Sequence, residues 1–211
     1  MSYPSLAVIG TAGRKEDKQY LTLKHYNRMV QATMRLLDHL NVDLGELKLY
    51  SGGAAWADHV VVTLILLRYV KAENVTLFLP TEVGENGFFG QDDKSSKTAS
   101  TCNYYHQYFS DQLSANTVDQ ILEVGSMGAL LDPGTGNFFQ RNSSVAKAVS
   151  PDGLLLAFTF GNPNSDQREW SLRPSQGSVK AEAGGLKDGG TADTWNKASC
   201  LKWHGKIGKT P

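Results

Sequence analysis

The sequence predicts an α/β fold, a Rossmann-like parallel sheet with helices on both faces, elaborated by two long loops. Three observations carry that expectation. Short apolar runs such as LAVI (6–9), VTLFL (75–79) and LLLAFTF (154–160) have the profile of parallel strands buried on both faces. Stretches of helical apolar spacing alternate with them, as in right-handed βαβ crossovers. The segments leaving the strands are rich in glycine, and ligands of open sheets bind at these carboxyl ends.

Taken in order, residues 6–9 form a first strand that ends at Gly10. Over residues 20–40, Leu21, Leu23, Met29, Val30, Met34, Leu36, Leu37 and Leu40 recur at mostly helical spacing, which predicts a long amphipathic helix. Residues 47–50 read as the second strand and 58–70 as a helix apolar over most of its surface. Residues 75–79 are the third strand, closed by Pro80. The pattern then loosens. Residues 84–117 are rich in Gly, Ser, Asp, Asn and Thr and read as an insertion over one end of the sheet. One helix is expected in it, near 103–114, carrying Tyr104, Tyr105, His106, Tyr108 and Phe109. A helix over 139–148 and a fourth strand at 154–160 follow, then a polar, Gly/Pro-punctuated loop at 161–188. A helix at 191–198, opened by a Gly-Gly turn, and a short strand at 201–207 come last. No internal repeat or charge block interrupts this order, so a single domain over residues 1–211 is expected.

Composition narrows the function. With 21 basic and 21 acidic residues the net charge is zero. That argues against nucleic acid as the main partner, since phosphate-backbone affinity needs a stripe of Lys and Arg. Cys102 and Cys200 lie far apart with no CxxC or metal spacing, and His106 and His204 show no ligand spacing either. Neither a metal nor a cofactor is expected. The longest apolar run, 60–67, is far short of the roughly 20 residues that span a bilayer. No membrane partner and a cytoplasmic location are therefore expected, the host-cell cytoplasm if the chain is viral. The apolar helix at 58–70 has two uses open to it, covering the sheet or covering a second subunit in a homo-oligomer.

The candidate site gathers at the strand ends. GTAGRKED (10–17), SGGAAWADH (51–59) and GGTADT (189–194) combine glycines, hydroxyls and helix starts, the chemistry that admits a phosphate. Gly10, Thr11, Gly13, Ser51, Gly52, Gly53, Gly189, Gly190 and Thr191 are the expected backbone and hydroxyl donors. GTAGRKED is neither a Walker sequence nor a dinucleotide fingerprint, because it lacks the Gly-Lys-Ser/Thr of one and the third glycine of the other. Arg14 and Arg141 are expected to neutralise charge. Arg141 opens a helix, where the dipole disfavours a cation, so it asks for an anionic partner; Asn142 sits beside it. As a surface change, Arg141→Ala is expected to alter stability by less than about 1 kcal/mol. Trp56, or an aromatic residue of 104–109, is the expected platform for a base. Asp58 or Asp193 is expected to read ribose hydroxyls. Asp58 and His59, adjacent on a helix, diverge by about 100° and are not expected to act as an acid/base pair.

These motifs together resemble a known family. SGGAAWADH is similar to the SGxAxGID segment of the DNA-processing DprA/Smf proteins through Ser51, Gly52 and Asp58. FFQRNSSVAKAVSPDGLLLAF resembles their RRNRIIAxLS segment and the strand after it, through Arg141, Asn142, Ala146 and Ser150. GGTADTW resembles their later Gly/Thr-rich helix start, and the PGGxGTxxE motif of the Lonely Guy phosphoribohydrolases, with Asp193 at its first acidic position. The chain thus resembles the SMF/DprA–LOG (SLOG) superfamily over most of its length, excluding about 84–130 and 161–188. It departs in three places. Trp56 stands where the motif has glycine, the histidine after that motif is moved to position 59, and the glutamate pair of the hydrolases is reduced to Asp193-Thr194. The resemblance implies a nucleotide pocket. It implies either capture of a nucleotide signal such as a cyclic ADP-ribose relative, by a sensor or sequestering protein, or N-glycosidic hydrolysis with Asp193 and Arg141 as the catalytic candidates. The shortened carboxylate at 193 favours capture.

Overall fold

In a computed structural model that describes residues 3–134, 137–149, 151–160, 170–174 and 189–209, strand β1 (Ser5–Gly10) leads through helix α1 (Leu23–His39) to β2 (Lys48–Ser51). Helix α2 (Val60–Leu66) then leads to β3 (Val75–Phe78). A small hairpin, β4 (Glu82–Gly84) and β5 (Gly87–Phe89), precedes helices α3 (Asp93–Leu113) and α4 (Thr117–Ser126). The chain returns to the sheet at β6 (Leu130–Asp132), crosses through α5 (Phe138–Val149) to β7 (Leu154–Thr159), and continues with β8 (Ser171–Pro174), α6 (Gly190–Lys197) and β9 (Leu201–Lys206). The main sheet has the order β6-β3-β2-β1-β7-β9-β8, parallel throughout except where the edge strand β8 pairs antiparallel with β9. The α/β class with helices on both faces is therefore realised.

Alternation along β1 builds two cores. Leu6 and Val8 face the side covered by α1 and α2, with Met29, Leu37, Val61 and Ile65, and with Phe109 of α3 and Ile121 of α4. Ala7 and Ile9 face the other side, where α5 and α6 supply Val145, Val149 and Trp195. The apolar face of α2 is consumed here: Val60, Val61, Val62, Leu64 and Ile65 are fully buried within the chain. The sequence alternative of a face reserved for a second subunit loses its basis at this helix.

Several expectations need correction. The helix expected over 58–70 is shorter, because Asp58 and His59 remain in a turn and Arg68, at φ +56°, ends it. The insertion is mostly helix, and α3 starts ten residues earlier than expected. Asp92 caps it by accepting from the Ser95 N–H at 2.7 Å, and the Ser95 hydroxyl returns to the Asp92 N–H. The buried positions of α3 are Thr98, Ala99, Cys102, His106 and Phe109, a helical period carried by small and polar residues. Helix α4 and strand β6 were not expected at all. Of the loop expected at 161–188, residues 170–174 are described and contain β8; the rest, like Ser150, lies outside the described residues.

Candidate functional site

The sheet order reverses beside β1, whose successor β2 lies on one side and β7 on the other. A cleft of about 250 Å³ opens at this switch point, outside the carboxyl ends of the strands. Gly10 at the end of β1, Thr11 after it and Gly52 after β2 line it, with Arg141 and Asn142 of α5 and Gly190 and Thr191 of α6. Tyr105 and His106 of α3 form a wall. These four segments were all legible as glycine loops or helix starts. The α3 wall was signalled only by its aromatic cluster.

Asp58 is the brace of the floor. It is 4% exposed and accepts the Gly10 N–H at 3.1 Å. Arg141 Nη1 donates to the Gly52 carbonyl at 2.8 Å and faces Asp58 Oδ2 at 3.5 Å, while its Nε donates to Asn142 Oδ1 at 3.0 Å. Burial pushes the Asp58 carboxyl above its ordinary range; Arg141 and the backbone N–H groups of Ala54, Gly10 and Gly52 pull it back. Gly52 makes this possible, since a Cβ there would stand 2.6 Å from Asp58 Oδ2 and against the Arg141 guanidinium. The anionic partner that Arg141 requires is thus in the chain itself. Its side chain is only 9% exposed, so the expectation of a surface arginine with little effect on stability is overturned.

The expected hydroxyl donors are spent inside the frame. The Ser51 hydroxyl donates to the Asp58 carbonyl at 2.8 Å, Thr11 to Asp17 Oδ2 at 2.9 Å, and Thr191 to the Gly10 carbonyl at 2.9 Å. Gly13 donates its N–H to Thr11 Oγ1 at 3.2 Å, and Gly53 offers its carbonyl to His106 Nε2 at 3.0 Å. Gly13, Ser51, Gly53, Trp56 and Asp193 do not line the cleft, whereas Gly10, Thr11, Arg14, Gly52, Asp58, Arg141, Asn142, Gly189, Gly190 and Thr191 do.

Trp56 is a core residue, which corrects its expected role as a platform. It is fully buried, with its ring 4.6 Å from Phe109 and 6.4 Å from Tyr26 between centroids. Its φ of +65° is a left-handed backbone that glycine adopts without a steric cost. Asp193 accepts from Lys197 Nζ at 2.8 Å and from Asn142 Nδ2 at 3.2 Å, so it orients Asn142. His59 turns away from Asp58 into the core and meets Gln120 Oε1 at 2.9 Å. Burial, with His106 nearby, lowers its pKa to about 3, and burial lowers that of His106 to about 4.

Beside the exposed Lys15, which also lines the cleft, three groups direct positive character into it. Arg14 is exposed and has neither a hydrogen bond nor an ion pair among the described residues; its guanidinium carbon lies 5.6 Å from the centre of Tyr105 and 5.3 Å from that of Phe138. Arg141 Nη2 faces the start of α6, 3.9 Å from where a Cβ on Gly190 would lie. The first-turn N–H groups of α6 have no intrahelical acceptor. Among the described residues no group of three His, Cys, Asp or Glu is placed to hold a metal, and no helix is long and apolar enough to cross a membrane.

Uncharacterized protein R261 of Acanthamoeba polyphaga mimivirus is 34% identical to this chain over 199 residues, covering 91% of the chain and 89% of the mimivirus protein. The chain belongs to the family of that viral protein. No model of a known protein family matches the chain, and no solved structure does.

Proposed function

We propose that the chain binds a nucleotide or nucleotide-derived signalling molecule in this cleft, holding its phosphate between Arg14, Arg141 Nη2 and the start of α6. The observation that carries the reading is the convergence of these unspent positive donors at the switch point, while the carboxylates beside them are engaged within the chain. An anion there meets charge and backbone N–H groups together. The resemblance to the SLOG superfamily supports the ligand class. Asp193, the carboxylate candidate for hydrolysis, is tied down by Lys197 and Asn142 and does not line the cleft, and Asp58 is held by Gly10 and Arg141, which supports binding over hydrolysis. We take the role to be sensing or sequestering an ADP-ribose-type signal in a host-cell cytoplasm, a setting that the mimivirus relative supports.

Calorimetric titration with AMP and ADP-ribose tests the reading. Arg14→Ala removes a charge-assisted contact and is expected to weaken binding about tenfold or more. As an exposed side chain, its loss leaves stability within about 0.5 kcal/mol. Chromatography after incubation is expected to return the ligand intact. Released base would move the assignment to a hydrolase, and no binding of any nucleotide would end it.

A further inference from the structure

The mouth of the cleft holds an arrangement that phosphate recognition does not require. Arg14, from the segment after β1, lies against two aromatic rings carried by different helices, Tyr105 on α3 and Phe138 at the start of α5. Both rings line the cleft and are half-buried. Phe138 also lies 5.6 Å from the guanidinium carbon of Arg141, so one ring stands beside both cations. A guanidinium is flat and weakly hydrated, and it rests on aromatic faces as a heteroaromatic ring does. The five donors of Arg14 make no hydrogen bond to any described residue, and the contacts its guanidinium does make are with these two rings.

We infer that Tyr105 and Phe138 form a slot for the base of a purine nucleotide, which Arg14 fills until the ligand arrives. This rests on the proposed nucleotide reading and assigns the end of the ligand that the reading leaves open. On binding, the base replaces the guanidinium against the rings, and Arg14 turns its donors to the phosphate. The ring contacts are conserved through the exchange and a charge-assisted hydrogen bond is added. Recognition by ring faces scales with the area of the base and is tolerant of its edge, so the larger purine ring is preferred over a pyrimidine. Trp56, buried beneath, takes no part in it.

Isothermal titration of the full chain with AMP, UMP and ribose 5-phosphate separates the two ends of the ligand. AMP is expected to bind at least tenfold more tightly than ribose 5-phosphate, with UMP between them. Tyr105→Leu and Phe138→Leu each weaken AMP about five- to tenfold and leave ribose 5-phosphate within twofold. Tyr105→Phe, which keeps the ring, retains wild-type affinity for AMP, and thermal melts confirm that each variant is folded. Equal losses for AMP and ribose 5-phosphate, or unchanged AMP affinity in both leucine variants, would overturn the slot. Wild-type protein that binds ribose 5-phosphate as tightly as AMP also overturns it while leaving the phosphate site standing. Binding of none of the three overturns both.

Discussion

Replacing Arg141 with alanine removes the one side-chain cation among the described residues that faces the Asp58 carboxylate, which is 4% exposed. Breaking a buried pair from one side costs about 3–5 kcal/mol, because the remaining charge stays desolvated. Here the contact is long, 3.5 Å, and the backbone N–H groups of Ala54, Gly10 and Gly52 remain, which favours the low end. The lost 2.8 Å hydrogen bond to the Gly52 carbonyl is part of that loss. The expected total is about 3 kcal/mol, or a fall in thermal midpoint of roughly 6–12 °C for a chain of this size. The pH dependence has a definite sign. Burial raises the folded-state pKa of Asp58, so the fold favours its protonated form, and removing Arg141 raises that pKa further. The deficit of the variant relative to wild type therefore narrows as pH falls. Adding Asp58→Asn removes the uncompensated charge and is expected to recover a substantial part of the loss. Urea melts of the single and double variants at pH 7 and pH 5 read both quantities. A loss below about 1 kcal/mol at pH 7, or a deficit that does not narrow on acidification, refutes the brace.

Two other perturbations test the frame around the cleft. His59 and His106 titrate at about 3 and about 4 in the folded chain against an ordinary 6.5, so the unfolded chain takes up protons first as pH falls. Their contribution is intact above pH 7 and drains between about 6.5 and 3, with a loss of roughly 2 kcal/mol per histidine by pH 5 that His106→Gln should reduce in thermal melts. At Trp56, the φ of +65° reverses the usual order of alanine and glycine. Both Trp56→Ala and Trp56→Gly lose about 3 kcal/mol or more of core packing, but the glycine variant is expected to be about 1 kcal/mol the more stable in denaturant melts. The opposite order would count against the left-handed backbone.

The strands β1, β2, β3 and β7 and the helix α1 were legible because aliphatic residues carry their periods. Helix α3 was half-hidden because Thr98, Ala99 and Cys102 hold buried positions that pattern reading expects of leucine or valine. Strand β6 is three residues long, and the apolar run around it, Ala129-Leu130-Leu131, is too short to stand out as a strand. At the site, the glycine loops were legible from their place after strands. The direction of each polar group was not. The dipole argument required an anion near Arg141, but Asp58 stands 83 positions earlier in the chain and meets it only through the sheet. Trp56 raised the expectation of a platform because a tryptophan in a glycine loop has two uses, and only the three-dimensional contact with Phe109 separates them.

The allocation of charge at the cleft reconciles a neutral chain with the proposed anionic ligand. Zero net charge supplies no global field that attracts polyanions, but it says nothing about which charges are already paired. At this switch point the carboxylates are spent on the frame: Asp58 holds Gly10 and Arg141, Asp17 holds Thr11, and Asp193 holds Asn142 and Lys197. Arg14 and Arg141 Nη2 are left facing the cleft with donors to offer. The local balance is positive because the carboxylates are engaged within the chain, and a low-dielectric wall sharpens that balance over a few ångströms. On the proposed nucleotide reading, such a site selects a compact phosphate group over an extended polyanion. It follows that increasing salt should weaken nucleotide binding only modestly, since the contact is short-range and partly buried.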